Sequence, residues 1–121
     1  MKQNLTSIDI NGIKYVPESD IKQQAISENY VIVRGDRSGI FAGNLKTENG
    51  QEVTLLNVRR IWYWSGASSI SELAVKGISE PDDCKFPCEV QEIRIKDAIE
   101  VIPATEEAEA SIKNVPIWTQ H

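Results

Sequence analysis

Three extended-type runs separated by two turn signals constrain the fold of this chain more than any other feature. Tyr30–Arg34 reads Tyr-Val-Ile-Val-Arg, Ile40–Lys46 follows it, and Glu52–Trp64 is the longest of the three. Between them lie Gly35-Asp36-Arg37-Ser38-Gly39 and Glu48-Asn49-Gly50-Gln51. β-Branched and aromatic side chains fit a pleated surface. Asn-Gly supplies the positive φ angles that a tight hairpin turn demands. The pattern predicts a three-stranded antiparallel meander over residues 30–64, with Gly43 marking a bulge or a close backbone contact.

The third run also separates its side chains. With a period of two, Val53, Leu55, Asn57, Arg59, Ile61 and Tyr63 share one side, and Thr54, Leu56, Val58, Arg60, Trp62 and Trp64 the other. Both sides are partly apolar, which predicts a central strand or one crossing from core to rim. Each side carries one arginine. At least one of these must reach a cleft, an edge or a salt bridge, because an uncompensated buried charge is too costly.

Downstream, Ser69-Ile70-Ser71-Glu72 forms a capping box, with a serine N-cap and a glutamate three residues on. A helix over Ile70–Lys76 is expected, ended by Gly77. Pro81 and Pro87 make Ile78–Cys88 irregular. Glu89–Lys96 alternates as a strand; Ala98–Ile102 continues it or pairs with it, and Pro103 is expected to stop it. Thr105 can cap a last helix, Glu106–Asn114, whose first-turn glutamates and Lys113 suit the helix dipole. Val115-Pro116-Ile117-Trp118 is an apolar tail that has to dock.

Upstream, Leu5–Val16 alternates around Asn11-Gly12 and reads as a β-hairpin. Ser19 can cap a short helix over Asp20–Ser27, and the polar Gln23–Asn29 is a candidate linker. Two divisions fit: a hairpin–helix extension over residues 1–29 with a main domain over 30–121, or one fold of which residues 1–29 are the first part. The fold class expected is α+β: a twisted antiparallel sheet of about five strands with two packed helices and the N-terminal hairpin extension.

Charge narrows the function classes. Against 13 Lys and Arg stand 18 Asp and Glu, a net charge of −5. Nucleic-acid binding depends on cations that neutralise phosphates, so nucleic acid is an unfavourable partner. A small anionic ligand at a local basic spot remains compatible. No apolar run approaches the ~18–20 residues needed to span a bilayer, and the N-terminus lacks the apolar core of a signal peptide. A cytoplasmic protein with reduced thiols at Cys84 and Cys88 is expected.

The densest chemistry is Arg59–Ser69, Arg-Arg-Ile-Trp-Tyr-Trp-Ser-Gly-Ala-Ser-Ser. Arg59 or Arg60 could fork onto phosphate oxygens. Trp62 or Trp64 could stack a base. Ser65, Gly66, Ser68 and Ser69, at a turn and helix start, could seat an anion. The alternative reading makes the tryptophans core packing, the arginines partners of surface acids, and Ser69 a helix cap; clusters of this kind are common in ordinary cores and at oligomer interfaces. The loop Arg34–Gly39 could bring Arg34 or Arg37 to the same end of the sheet, or be a polar hairpin loop. No catalytic residue is expected: the single histidine, His121, is terminal, and there is no P-loop or dinucleotide fingerprint. Cys84 and Cys88 offer two soft ligands where structural zinc takes four, so neither metal nor cofactor is expected.

Four stretches carry a resemblance: Arg59–Ala67, Ser71–Ala74, Cys84–Cys88 (Cys-Lys-Phe-Pro-Cys), and Glu100–Ala108 (Glu-Val-Ile-Pro-Ala-Thr-Glu-Glu-Ala). Over Tyr30–Trp118 the chain resembles a family of small proteins encoded by tailed bacteriophages and prophages. Ile10–Pro17 looks like a short module fused to many unrelated phage proteins. The resemblance implies a phage accessory protein in the host bacterial cytoplasm. By analogy with phage proteins that work by sequestration, the expectation is a non-enzymatic homo-oligomer that binds a small anionic ligand, above all a cyclic nucleotide immune signal. The alternative is a protein-interaction module that inhibits a host protein through its Trp-Tyr-Trp cluster.

Overall fold

The computed structural model describes residues 25–119. Five strands form one open antiparallel sheet: β1 (Ile26–Gly35), β2 (Ile40–Asn49), β3 (Glu52–Arg60), β4 (Val90–Ile95) and β5 (Ala98–Thr105). Their spatial order is β4-β3-β2-β1-β5. Two helices follow the meander, α1 (Ile70–Lys76) and α2 (Glu106–Lys113), with a 3₁₀ turn at Pro81–Asp83. The five-stranded α+β architecture is as the sequence predicts. The expected hairpin of residues 5–16, most of the helix expected at 20–27, and His121 lie outside the described residues.

β4 and β5 are consecutive in sequence yet sit at opposite edges of the sheet. Only Lys96 and Asp97 connect them, so the sheet must curl until its diagonal corners meet. Contacts to both turns of the meander fasten that corner, among them the bond from the Asp36 N–H to the Asp97 carbonyl (2.9 Å). The Ala98 N–H donates to the Gln51 carbonyl at the β2–β3 turn (3.0 Å). The Asp97 carboxylate accepts from the Arg37 N–H (2.8 Å), the Ser38 N–H (3.1 Å) and the Ser38 hydroxyl (2.6 Å) in the β1–β2 loop. Those donors hold the Asp97 carboxyl below its ordinary pKa, the Ser38 hydroxyl first and the Arg37 amide next.

The curl produces two cores. Its interior gathers Val33, Phe41, Val53, Leu55, Val58 and Ile95, all nearly or fully buried. The outer face packs Tyr30, Ile32 and Ala42 against Leu73 of α1, Ile112 of α2 and Phe86 of the irregular segment. Burial of apolar surface on both sides explains why the meander strands are apolar on both faces.

Irregularities locate the bends. Asn57 has φ 53° and interrupts the β2–β3 register between Leu56↔Asn44 and Arg59↔Ala42. Strict alternation therefore fails there. Val53, Leu55, Val58 and Arg60 face the interior side, while Arg59 and Ile61 face the helices. Gly43, which pairs with Val31 of β1 but has no register partner in β3 at this bulge, lets the strands approach closely: a Cβ there would lie 2.9 Å from the Leu56 carbonyl oxygen.

Strand limits also depart from the sequence reading. β1 starts at Ile26, so Ile26–Asn29 are strand rather than helix end or linker. A second positive-φ residue, Asn29 (54°), accommodates the register shift between Ile26↔Thr105 and Val31↔Pro103. Ser27 is buried and donates to Glu109 of α2. β5 runs through Pro103 to Thr105, which proline permits because β5 is an edge strand. It pairs with β1, neither extending β4 nor pairing with it. β3 ends at Arg60, short of the expected Trp64. Beyond Ile40 its partner β2 gives way to a loop, and the chain turns to pair Tyr63 with Lys85.

Candidate functional site

Arg59 lies on the helix-facing side of β3, 4% exposed. Its Nη1 donates to the carbonyls of Ile112 (3.2 Å) and Val115 (2.5 Å), and its Nη2 to those of Phe86 (2.9 Å) and Pro87 (3.2 Å). The guanidinium also sits 5.3 Å from the Phe86 ring centroid. Burial lowers its pKa from the ordinary arginine value. A planar fork that satisfies four carbonyls from three segments is a tether, with its Nη donors directed into the protein.

Arg60 faces the other way. Its Nη1 donates to the Ser38 carbonyl (2.8 Å), and its guanidinium lies 4.5 Å from the Phe41 ring centroid. The β1–β2 loop thus does reach the end of β3, as the sequence suggests. Arg34, by contrast, pairs with Glu100 (3.0 Å).

The serine-rich turn is committed to its own helix. The Ser69 hydroxyl accepts from the Glu72 N–H (3.1 Å), while Ser68 donates its N–H (2.6 Å) and hydroxyl (2.7 Å) to the Glu72 carboxylate. These bonds, the Ser68 hydroxyl foremost, hold Glu72 below its ordinary pKa. An internal carboxylate therefore occupies the position where an external anion was expected. Trp64 packs half-buried on the helix-side core and donates Nε1 to the Ala67 carbonyl (3.2 Å). The Ser65 hydroxyl donates to Glu80, and the Gly66 carbonyl accepts from the Ser79 N–H (3.3 Å) and hydroxyl (3.0 Å).

Trp62 is different. It is 61% exposed and stacks at a tilt on Trp118, ring centroids 4.9 Å apart. A miniature ladder builds this contact. Tyr63 pairs antiparallel with Lys85, Phe86 pairs parallel with Ile117, and the Trp118 N–H donates to the Phe86 carbonyl (2.9 Å). The central segment of the ladder carries Lys85, whose ammonium lies 5.6 Å from the Trp62 ring, 5.5 Å from Trp118 and 6.0 Å from Tyr63. Tyr63 and Ile117 are more than half exposed and extend the patch. Beneath it, Phe86 is fully buried and Arg59 grips the Phe86 carbonyl, so the ladder rests on a rigid floor.

Of the eight residues singled out in the sequence, Arg59 and Arg60 go to opposite sides of the sheet, Trp64, Ser65, Gly66, Ser68 and Ser69 bond within their own turn or to Ser79 and Glu80, and Trp62 joins an open aromatic cluster. Tyr63, Lys85, Ile117 and Trp118 complete it. Their signals were present but indirect: an apolar tail that had to dock, and a short Lys-Phe pair between two prolines. Cys84 is buried and Cys88 exposed, both as free thiols. Burial raises the Cys84 pKa, and its Sγ accepts from the Ser65 N–H (3.4 Å). Among the described residues no group of three or more His, Cys, Asp or Glu is placed to hold a metal ion, and no helix is long and apolar enough to cross a membrane.

Fold and site define a small curled-sheet α+β domain with an aromatic surface cluster. By its sequence, the chain belongs to the family of a domain of unknown function, DUF6948, whose model matches residues 28–112. No curated protein and no solved structure matches it. The family match ends before Ile117 and Trp118, so one of the three segments of the aromatic ladder lies outside it.

Proposed function

We propose that the protein is a protein-interaction module that binds and inhibits a partner through Trp62, Tyr63, Trp118 and Ile117. The observation that carries this reading is the Trp62–Trp118 stack on a rigid ladder, with Trp62 exposed and Trp118 half-buried beside it. Tryptophan and tyrosine dominate interface energetics, and contiguous exposed apolar surface on a small domain marks contact sites. Following the resemblance to tailed-phage proteins, the partner is a host protein and the setting the cytoplasm of an infected bacterium. Affinity capture from infected cells tests it: one partner should be retained stoichiometrically by the wild type and lost with Trp62→Ala. Retention that is indifferent to Trp62→Ala and Trp118→Ala would sink the proposal.

A second reading rests on the Lys85 ammonium beside the exposed Trp62 indole and the half-buried Trp118 indole. A nucleotide base could stack there with its phosphate on Lys85, as the sequestration of a cyclic nucleotide between subunits of a homo-oligomer would require. Calorimetry against cyclic di- and trinucleotides separates the two: heat that Lys85→Gln abolishes supports the nucleotide, and silence across the panel rejects it.

A further inference from the structure

We propose that the occupant of the aromatic cluster is a basic segment of the partner, presenting an arginine or lysine side chain to the rings that Lys85 now faces. The proposal rests on the interaction reading above and adds the chemistry of the partner. Three observations converge. First, the cluster already faces a cation: the Lys85 ammonium lies within 6.0 Å of the centroids of Trp62, Tyr63 and Trp118. Aromatic faces carry negative quadrupole potential, so arrayed indoles favour ammonium or guanidinium groups over anions. Second, Lys85 is an exposed side chain on its own stem and can swing clear. It acts as a built-in occupant that covers the rings until a competing cation arrives.

Third, the charge around the cluster favours such a competitor. Glu80, Asp82, Asp83 and Glu89, all exposed, flank Lys85 in sequence; four acids against one lysine leave residues 80–89 at net −3. The segment is held alongside the Trp62–Ser65 stretch by the Ser65–Glu80 hydrogen bond and the Tyr63–Lys85 bridge. The whole chain carries −5. An acidic segment adjoining an aromatic cluster raises the local concentration of basic partners and repels acidic ones. Lys85 itself then decides the sign of the test. Toward an acidic or phosphorylated partner it is an attractive contact. Toward a basic one it is a competitor and a like charge.

The probes are an N-acetylated octapeptide of alternating arginine and glycine and its glutamate–glycine counterpart. Each is titrated into the full chain at two salt concentrations, followed by tryptophan fluorescence and the indole N–H resonances. The arginine peptide should bind saturably, moving the Trp62 and Trp118 resonances and leaving Trp64 in place. Lys85→Gln should tighten it about threefold to tenfold, and Trp62→Ala should weaken it about tenfold. Asp82→Asn/Asp83→Asn should weaken it and flatten its salt dependence. Urea midpoints near wild type establish that the variants are folded. Three results would each overturn the proposal: weaker arginine-peptide binding in Lys85→Gln, glutamate-peptide binding at the two indoles, or arginine-peptide binding that Trp62→Ala leaves unchanged. The capture experiment keeps the two claims apart. A Trp62-dependent partner released by Lys85→Gln would preserve the interaction reading while rejecting a basic occupant.

Discussion

Replacing Arg59 with alanine tests whether this side chain is a tether or a ligand contact, because the two roles predict opposite results. The guanidinium makes four hydrogen bonds to the carbonyls of Phe86, Pro87, Ile112 and Val115. A hydrogen bond to a charged group contributes about 1.5–3 kcal/mol when removed singly. Four such terms are an upper bound, because deleting the cation also removes its own burial cost, which is on the order of several kcal/mol. Removing one side of a buried charged contact typically destabilises by ~3–5 kcal/mol, and that is the expected loss here. Against the ~5–15 kcal/mol total of a typical domain this is a large fraction. Urea unfolding, with a slope of roughly 1–3 kcal/mol per molar, should show the midpoint falling by about 2 M with the slope unchanged. Arg59→Lys should recover less than half, since an ammonium cannot reproduce the planar fork. Trp118 fluorescence should report loosening first, because the Val115 carbonyl anchors the approach to it. A loss under ~1 kcal/mol in Arg59→Ala would refute the tether, whose four contacts could not then carry the energies assigned to them.

Three further changes probe the same architecture. Asp97 has its pKa lowered in the folded state, so its stabilisation is complete above the unfolded carboxylate value of about 3.9 and is lost as pH falls through the folded value. Asp97→Asn should therefore flatten the fall in melting temperature below about pH 4 and lower stability at neutral pH. Gly77→Ala places a Cβ 2.4 Å from the Ser111 Cβ at φ 82°, and should cost about 2–4 kcal/mol in chemical denaturation. Thr105→Ala removes both the α2 cap to the Ala108 N–H (3.0 Å) and the bond donated to the Val75 carbonyl (2.6 Å). About 2 kcal/mol should be lost, and Thr105→Ser should restore most of it.

The sequence revealed local physics well and non-local physics poorly. Helix α1 and its stop at Gly77 followed from a capping box whose donors and acceptor lie within four residues. The β1–β2–β3 meander followed from turn chemistry. The destination of β5 did not: nothing in Ala98–Thr105 says that it pairs with a strand some 70 positions earlier. The face assignment of Arg59 failed through one residue, Asn57, whose left-handed backbone inserts a bulge into a smooth alternating pattern. Asparagine tolerates that conformation, but the same residue in a regular strand would look identical. The candidate site suffered likewise. Clustering in sequence grouped Arg59 through Ser69, whereas strand geometry sent Arg59 inward, Arg60 across the sheet and Ser68 onto Glu72. Trp118 reached Trp62 only by a tertiary path.

The corner at Lys96-Asp97 has a consequence for biosynthesis. Until β5 emerges, β1 is, among the described residues, an unpaired edge of an otherwise complete meander, offering a row of free amides and carbonyls to any other nascent strand. Seventy residues separate Gly35 from Thr105, and at ~5–20 residues per second a ribosome takes roughly 4–14 s to supply them. For those seconds the chain must avoid pairing β1 with the wrong partner. Asn29, near the start of β1 with φ 54°, bends that edge out of the flat geometry which strand addition requires.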